Sequence, residues 1–333
     1  MSRKPRVVVT DYIEPDLDWE AGEVERCGAD FVLHQLKFRP ENEVIEAVRD
    51  AEVIVVNMVK MTADVIDQLA HCRRIIRHGA GYDNVDVAAC TARGIPLAYC
   101  PDYCVDEVAE QAIALIFASA RQVPQSRKIL DDAVATGRWD FSPLAKGYRM
   151  AGKTLGIIGC GRIGSKVFLK MRHFGFREIL VCDPYLRPER LDELGITVVP
   201  REKVFREADY ITVHTPLTDE TRHLVNRDTL AMMKPTAYLV NTSRGPMVDH
   251  EALAEALRNK VIAGAAIDVY GTEPPEKTYP LLNLEGAILT PHVSWYSEDA
   301  AWAIRRKIVE DIRLALEGKP PRYCVNEEVL TGN

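Results

Sequence analysis

The chain has 333 residues, 47% hydrophobic and 27% charged, which at roughly 150 residues per domain reads as two ordinary globular domains. A composition this apolar excludes a disordered chain, no run approaches the ~20 apolar residues of a membrane span, and a formal charge of −7 argues against a general nucleic-acid binder. Met1-Ser2-Arg3-Lys4-Pro5 leads straight into a strand-like run with no apolar secretion core, so a cytoplasmic protein is expected. The eight cysteines (27, 72, 90, 100, 104, 160, 182 and 324) read as reduced thiols. Cys100 and Cys104 have no second Cys or His pair at zinc spacing, so they are taken as structural and no metal is expected.

Short β-branched runs alternate with helical stretches along the chain, the pattern of βαβ units and parallel sheets. Strands are predicted at Arg6–Thr10, Phe31–Leu33, Val53–Val56, Ile75–Arg77 and Pro96–Tyr99. Helices are predicted between them at Glu41–Arg49, Thr62–Ala70 and Val85–Arg93. A long helix follows from Val105 to Arg121, with Val108, Ala112, Leu115 and Ile116 at helical intervals, and Pro124 is expected to stop it. A second series then begins at Thr154–Ile158 and continues with strands at Ile179–Val181, Tyr210–Val213, Ala237–Val240, Ala265–Ile267 and Ala287–Leu289. Asp249 is placed to cap a helix over Glu251–Leu257. The last amphipathic stretch, Ser297 to Glu317, reads as one helix capped by Ser297, with Glu298 and Asp299 in its first turn.

Gly159-Cys160-Gly161-Arg162-Ile163-Gly164 lies between the apolar strand Leu155–Ile158 and a helical pattern carrying Ile163, Val167 and Met171. In that setting Gly159 permits a tight turn, Gly161 lets the backbone approach a pyrophosphate, and Gly164 lets the helix pack closely. The helix N-terminus offers N–H groups and positive potential to the phosphates, to which Arg162 adds. The next strand runs to Asp183, 19 residues beyond Gly164. Its carboxylate suits a ribose diol and repels a 2′-phosphate, so NAD is expected over NADP, against a small opposing effect from Arg187 and Arg190.

Three ionisable residues follow predicted strands in the second half: Arg244, Glu273 and His292. Ligands of open α/β sheets bind beyond the carboxyl ends of the strands, where these three would converge. Reduction of a 2-oxo acid needs a hydride at the carbonyl carbon and a proton at its oxygen. A histidine can give that proton near neutral pH, a carboxylate can orient its ring and favour the imidazolium, and an arginine fork can hold carboxylate and carbonyl oxygens together. His292 is therefore read as acid/base, Glu273 as its partner and Arg244 as the substrate clamp. His78, His173, His223 and His250 are read as surface or structural residues.

Asn241-Thr242-Ser243-Arg244-Gly245, Asp268-Val269 with Glu273-Pro274, and Thr290-Pro291-His292 resemble the three signature segments of the D-isomer-specific 2-hydroxyacid dehydrogenases. The resemblance spans almost the whole chain. It implies an α/β protein of two Rossmann-like or flavodoxin-like domains with parallel sheets and an active-site cleft between them: residues 1–101 and 300–333 as the substrate domain, and 102–299 as the NAD-binding domain. It also implies a homodimer joined through the cofactor domain. His214-Thr215-Pro216-Leu217-Thr218 resembles the family's cofactor loop, and the resemblance adds Thr242, Ser243, Asp268 and Val108 to the cofactor side, Asp268 as the holder of the nicotinamide carboxamide. Arg77-His78-Gly79-Ala80-Gly81-Tyr82-Asp83-Asn84 matches the substrate loop, giving Arg77 and the N–H groups of Ala80 and Gly81 to the substrate. His292-Val293-Ser294-Trp295-Tyr296-Ser297-Glu298 and Tyr323-Cys324-Val325-Asn326 are most similar to the C-terminal binding protein branch.

Trp295, three residues after the acid/base, reads equally as an ordinary core tryptophan or as a wall of the substrate pocket; as a wall it would favour a 2-oxo acid with an apolar or thioether tail over glyoxylate. The leading expectation is an NAD-dependent 2-hydroxyacid dehydrogenase working as a reductase. An NADH-binding scaffold or corepressor is the alternative of a different class, disfavoured because Arg244, Glu273 and His292 are all present. A phosphoglycerate or hydroxypyruvate reductase type is the alternative within catalysis, ranked lower because few basic residues beyond Arg77 cluster at the substrate loop.

Overall fold

The computed structural model describes residues 3–144 and 146–331. It divides into two compact units, one made of Met1–Cys104 with Ser297–Asn333 and the other of Val105–Tyr296.

The first unit alternates β1 (Arg6–Val9), α1 (Asp18–Arg26), β2 (Asp30–Leu33), α2 (Glu41–Val48), β3 (Val53–Val56), α3 (Ala63–Asp67), β4 (Arg74–Arg77), α4 (Val87–Ala92) and β5 (Leu97–Ala98). The strands form one parallel sheet in the order β2-β1-β3-β4-β5. Side chains of successive strand residues point to opposite faces, and each face has its own core. Val8, Ile54 and Ile75 pack with Val44 and Val48 of α2, Val65 and Ile66 of α3, and Cys90 of α4. Val7, Val9, Val53, Val55 and Ile76 pack with Val24 of α1 and with Ile304, Ile308 and Ile312. These isoleucines belong to the C-terminal helix, Glu298–Leu316, which starts where expected: the Ser297 hydroxyl accepts the Ala300 N–H at 2.9 Å. Each buried isoleucine contributes roughly 1.5–3 kcal/mol, so this last helix is an integral layer of the first unit.

The second unit opens with α5 (Val105–Ala120) and α6 (Val123–Thr136). Pro124 does not end the helical region. α5 stops at Ala120, Gln122 turns the chain in a left-handed conformation (φ 52°), and Pro124 occupies the first turn of α6, where a missing N–H breaks no helical bond. There follow β6 (Thr154–Ile158), α7 (Arg162–Met171), β7 (Glu178–Cys182), α8 (Pro188–Leu194), α9 (Arg201–Glu207), β8 (Tyr210–Val213), α10 (Arg227–Met232), β9 (Tyr238–Asn241), α11 (His250–Arg258), β10 (Gly264–Ile267) and β11 (Ala287–Leu289). The six strands are parallel and ordered β11-β10-β9-β8-β6-β7. α5 and α7 cover one face through Ala109, Ala112, Ile116, Val167 and Met171. Phe205 of α9, Leu230 of α10 and Leu253 of α11 belong to the core of the other face. Asp249 caps α11 as expected, accepting the Ala252 N–H at 3.0 Å. Both units are thus parallel-sheet α/β domains. Among the described residues no helix is long and apolar enough to cross a membrane.

Candidate active site

Strand order decides what lies side by side along the carboxyl edge of the six-stranded sheet. The loop after β11 carries His292, that after β10 carries Asp268 and Glu273, and that after β9 carries Thr242, Ser243 and Arg244. The loop after β8 carries His214, Thr215 and Pro216, that after β6 carries Gly159 to Gly164, and that after β7 carries Asp183. The candidate catalytic groups therefore occupy one end of this edge and the candidate nucleotide groups the other. The strand order reverses at β6, the crevice where open α/β sheets take their ligands.

At the nucleotide end, Gly159 has φ +87°, and a Cβ there would come within 2.7 Å of the His214 carbonyl carbon. A Cβ on Gly164 would collide with the Gly159 carbonyl oxygen, whereas one on Gly161 would meet nothing within 4 Å. Two glycines thus close the turn, and the middle one faces open space. α7 begins directly after Gly161 with no side chain capping its first N–H groups. Asp183 fixes the turn from the neighbouring strand: its Oδ2 accepts the Cys160 N–H at 2.8 Å and its Oδ1 the Tyr185 N–H at 3.0 Å. The Tyr185 hydroxyl donates to Glu220 at 2.6 Å, and Arg190 pairs with Glu193 at 2.7 Å. His214 shares a 2.9 Å hydrogen bond with the Thr212 hydroxyl through Nε2, and burial pushes its pKa down to about 3, so the ring is neutral. The Thr242 hydroxyl is buried with no partner among the described residues.

At the catalytic end, Glu273 receives His292 Nδ1 on both carboxylate oxygens, at 2.9 and 2.8 Å. The Tyr270 N–H is a second donor, to Oε1 at 3.1 Å. Burial alone would raise the Glu273 carboxyl, but the His292 hydrogen bond and charge, the Tyr270 N–H and the Arg244 guanidinium outweigh it and hold the group below its ordinary value. Arg244 thus acts on Glu273 through its charge, the smallest of these influences. Asn241 shapes the Arg244 loop: its Oδ1 accepts the Ser243 N–H at 3.0 Å, and its Nδ2 donates to the Arg244 carbonyl at 2.9 Å. Arg244 Nη1 donates to the Ser243 carbonyl at 2.9 Å. Gly245 has no room for a side chain, since a Cβ there would strike the Tyr270 carbonyl, so the Arg244 loop packs directly on the Glu273 loop. His292 has φ 53°, a left-handed backbone uncommon outside glycine and concentrated at functional sites. Trp295 stands edge-on to Tyr296, ring centroids 5.5 Å apart, and Val108 is buried in the first turns of α5.

In the first unit, Arg77 ends β4 and its guanidinium lies over Gly79, where a Cβ would come within 2.6 Å of Nη1. Its Nε donates to Asn84 Oδ1 at 3.1 Å, and Nη1 donates to the His78 carbonyl. Ala80 and Gly81 follow in a partly exposed bend. His78 pairs through Nε2 with Glu14 at 3.1 Å, both largely covered. Burial raises the Glu14 carboxyl, yet the His78 hydrogen bond and charge and the local N–H groups outweigh it and hold it at about 2. This pair joins residues 64 positions apart, and nothing in the local sequence pointed to it. Asn84 was readable as part of the quoted loop, but its service to Arg77 was not.

The family model for the D-isomer specific 2-hydroxyacid dehydrogenase NAD-binding domain matches residues 113–294, which include α7, the whole six-stranded sheet and the catalytic loops. The chain belongs to the D-isomer specific 2-hydroxyacid dehydrogenases. It is 38% identical over 291 residues to a glyoxylate reductase of Korarchaeum cryptofilum, covering 86% of each chain. It is also 38% identical over 326 residues to a D-3-phosphoglycerate dehydrogenase of Methanocaldococcus jannaschii, covering 96% of this chain but 59% of that protein's length. Among solved structures it resembles the D-lactate dehydrogenase of Aquifex aeolicus complexed with NAD and lactic acid, at a TM-score of 0.82, 27% identity and 98% coverage of both chains. The glycine turn with open space before Gly161, the uncapped helix start and the neighbouring Asp183 carboxylate fit the dinucleotide expected of this family.

Proposed function

We propose that this family member reduces a 2-oxo acid to the D-2-hydroxy acid with NADH. The observation that carries the reading is the Glu273–His292 pair at 2.8 Å, lying on the same sheet edge as Arg244 and the glycine turn. Gly159, Gly161, Arg162, Ile163, Gly164 and Asp183 would hold the pyrophosphate and adenosine side of the cofactor. His214, Thr215, Pro216, Thr242, Ser243 and Val108 would frame its nicotinamide side. Bound there, NADH supplies the hydride. Asp183, with one backbone N–H on each oxygen, would offer its remaining lone pairs to the ribose and work against a 2′-phosphate.

The chain's own residues do the rest. Arg244 fixes the substrate's oxygens with its planar fork and polarises the carbonyl. His292 delivers the proton to the carbonyl oxygen through Nε2, since Nδ1 is taken by Glu273. Glu273 keeps the ring oriented and stabilises its charged form. The resemblance gives the substrate carboxylate to Arg77 and to the N–H groups of Ala80 and Gly81, and we assign it to them. A passive dinucleotide-binding scaffold has no use for a histidine held in a left-handed backbone against a carboxylate.

A panel of 2-oxo acids of rising chain length, from glyoxylate to branched and thioether compounds and including phosphohydroxypyruvate, tests the reading with NADH and NADPH in parallel. Turnover with NADH on at least one of them, abolished in His292→Ala with NADH binding intact, is expected. Near-normal activity of His292→Ala would refute the acid/base role, and equal use of NADPH would refute that of Asp183. The similarity to a phosphoglycerate dehydrogenase keeps the phosphorylated substrate as the second reading. Best turnover on glyoxylate would remove Trp295 from the pocket wall.

We place the interface of a homodimer on α6. This helix buries no residue, and Val123, Leu130 and Val134 on it, with Trp139 and Phe141 after it, are exposed. Val123, Leu130 and Val134 recur at seven and four residues, the spacing of one helix face, and exposed apolar side chains gathered in this way favour an interface, to which we assign a second copy of the chain.

A further inference from the structure

Side chains tie together the loops at the carboxyl edge of the first unit's sheet. Asp11, after β1, is buried, and its carboxylate accepts the N–H groups of Asn57, Met58 and Val59 after β3, at 3.3, 2.7 and 3.4 Å. Asn84 donates from Nδ2 to the Asn57 and Val59 carbonyls at 3.0 and 2.7 Å, and its Oδ1 accepts Arg77 Nε. His78 lies between Arg77 and the glycine turn and is held on every side. Its N–H donates to the Val56 carbonyl at 2.8 Å, and its carbonyl accepts Arg77 Nη1. Its ring reaches Glu14, in the loop after β1, at 3.1 Å. The other Glu14 oxygen accepts the Ile13 N–H at 3.0 Å, which fixes the carboxylate to its own loop. The two side chains are only 14% and 10% exposed. Water competes little for a pair so covered, and loss of either member strands its partner.

We propose that Glu14 and His78 are positioning residues for the substrate carboxylate. The pair fastens the start of the 79–81 turn to the loop after β1, and the His78 carbonyl carries the Arg77 guanidinium. The cation and the N–H groups of Ala80 and Gly81 are thereby turned to one anion. This inference rests on the reading that gives the carboxylate to those three groups, and it adds two residues that touch the substrate only through them.

His78-Gly79 is the one His-Gly step in the sequence. The full chain labelled with ¹³C at histidine carbonyls and ¹⁵N at glycine therefore gives a single correlated peak, from the Gly79 N–H, which reports the turn without turnover. We expect it to shift in Glu14→Ala and to shift less in Glu14→Gln, which keeps the shape and an acceptor oxygen and serves if the first variant fails to fold. In kinetics, KM for the 2-oxo acid should rise about tenfold in Glu14→Ala and in His78→Ala, with kcat within about twofold and NADH affinity unchanged. The two residues act as one unit, so the double variant should stay near tenfold rather than reach about a hundredfold. His78→Gln, whose amide can still donate to Glu14, should recover most of the lost affinity. An unmoved Gly79 peak in both Glu14 variants would overturn the proposal, and so would multiplying KM effects or an equal fall in kcat. If the peak moves but the wild-type chain reduces no 2-oxo acid, the dehydrogenase reading fails while the fastening of the turn stands.

Discussion

Glu273 and His292 show how little freedom a proton donor is left here. The ring is fixed on its Nδ1 side by two carboxylate oxygens, leaving Nε2 for chemistry. Because Glu273 lies below its ordinary 4.5, the pair's contribution is fully present above pH 4.5 and is lost only as the pH falls through the lowered value. An acid limb caused by Glu273 therefore lies below pH 4.5. In Glu273→Gln that limb disappears, and the imidazolium loses its charged partner. Relative to the wild type, reduction should then fall most above pH 4.5 and least below it, where the wild-type carboxyl is itself neutral, measured as kcat/KM across the range. A parallel loss at every pH would show that Glu273 serves packing alone. Arg244, Glu273 and His292 were legible in the sequence because each is a chemically distinctive residue just past a strand. The left-handed backbone of His292 was not, since no local pattern encodes that angle.

The turn from β6 into α7 makes its own demand on sequence. Gly164 lies within the helix, where alanine is ordinarily the better residue by roughly 0.5–1 kcal/mol. Here the added methyl would overlap the Gly159 carbonyl oxygen, so Gly164→Ala must push the helix start away from the strand. NADH affinity should fall at least tenfold, about 1.4 kcal/mol, with helix content by circular dichroism retained; unchanged affinity in a fluorescence titration would contradict this. Strands were the easiest elements to read, because runs such as Val53-Ile54-Val55-Val56 are buried on both faces and need continuous β-branched residues. α1 escaped notice because only Glu20 and Val24 of its nine residues are buried. α6 escaped because it packs no apolar stripe against its own chain, and because Pro124 reads as a terminator until the left-handed Gln122 is seen to start a new helix.

The exposed face of α6 sets the expected state of the molecule in solution. Light scattering should give twice the chain mass for the wild type and the single mass for Leu130→Asp combined with Val134→Asp, since two charges cannot be buried unpaired in an apolar contact. A wild type of single mass would remove the second copy from that surface. The discontinuous make-up of the first unit has a further consequence, this one for synthesis. Residues 105–296 are a continuous stretch, so a growing polypeptide can finish the second unit while Ile304, Ile308 and Ile312 have yet to be translated. The valines of β1 and β3 must meanwhile wait with one side covered only in part, by Val24 of α1. The earlier-made half of this protein is thus the later one to mature, and a chaperone meeting the nascent chain would find its sticky surface near the beginning rather than at the newest end.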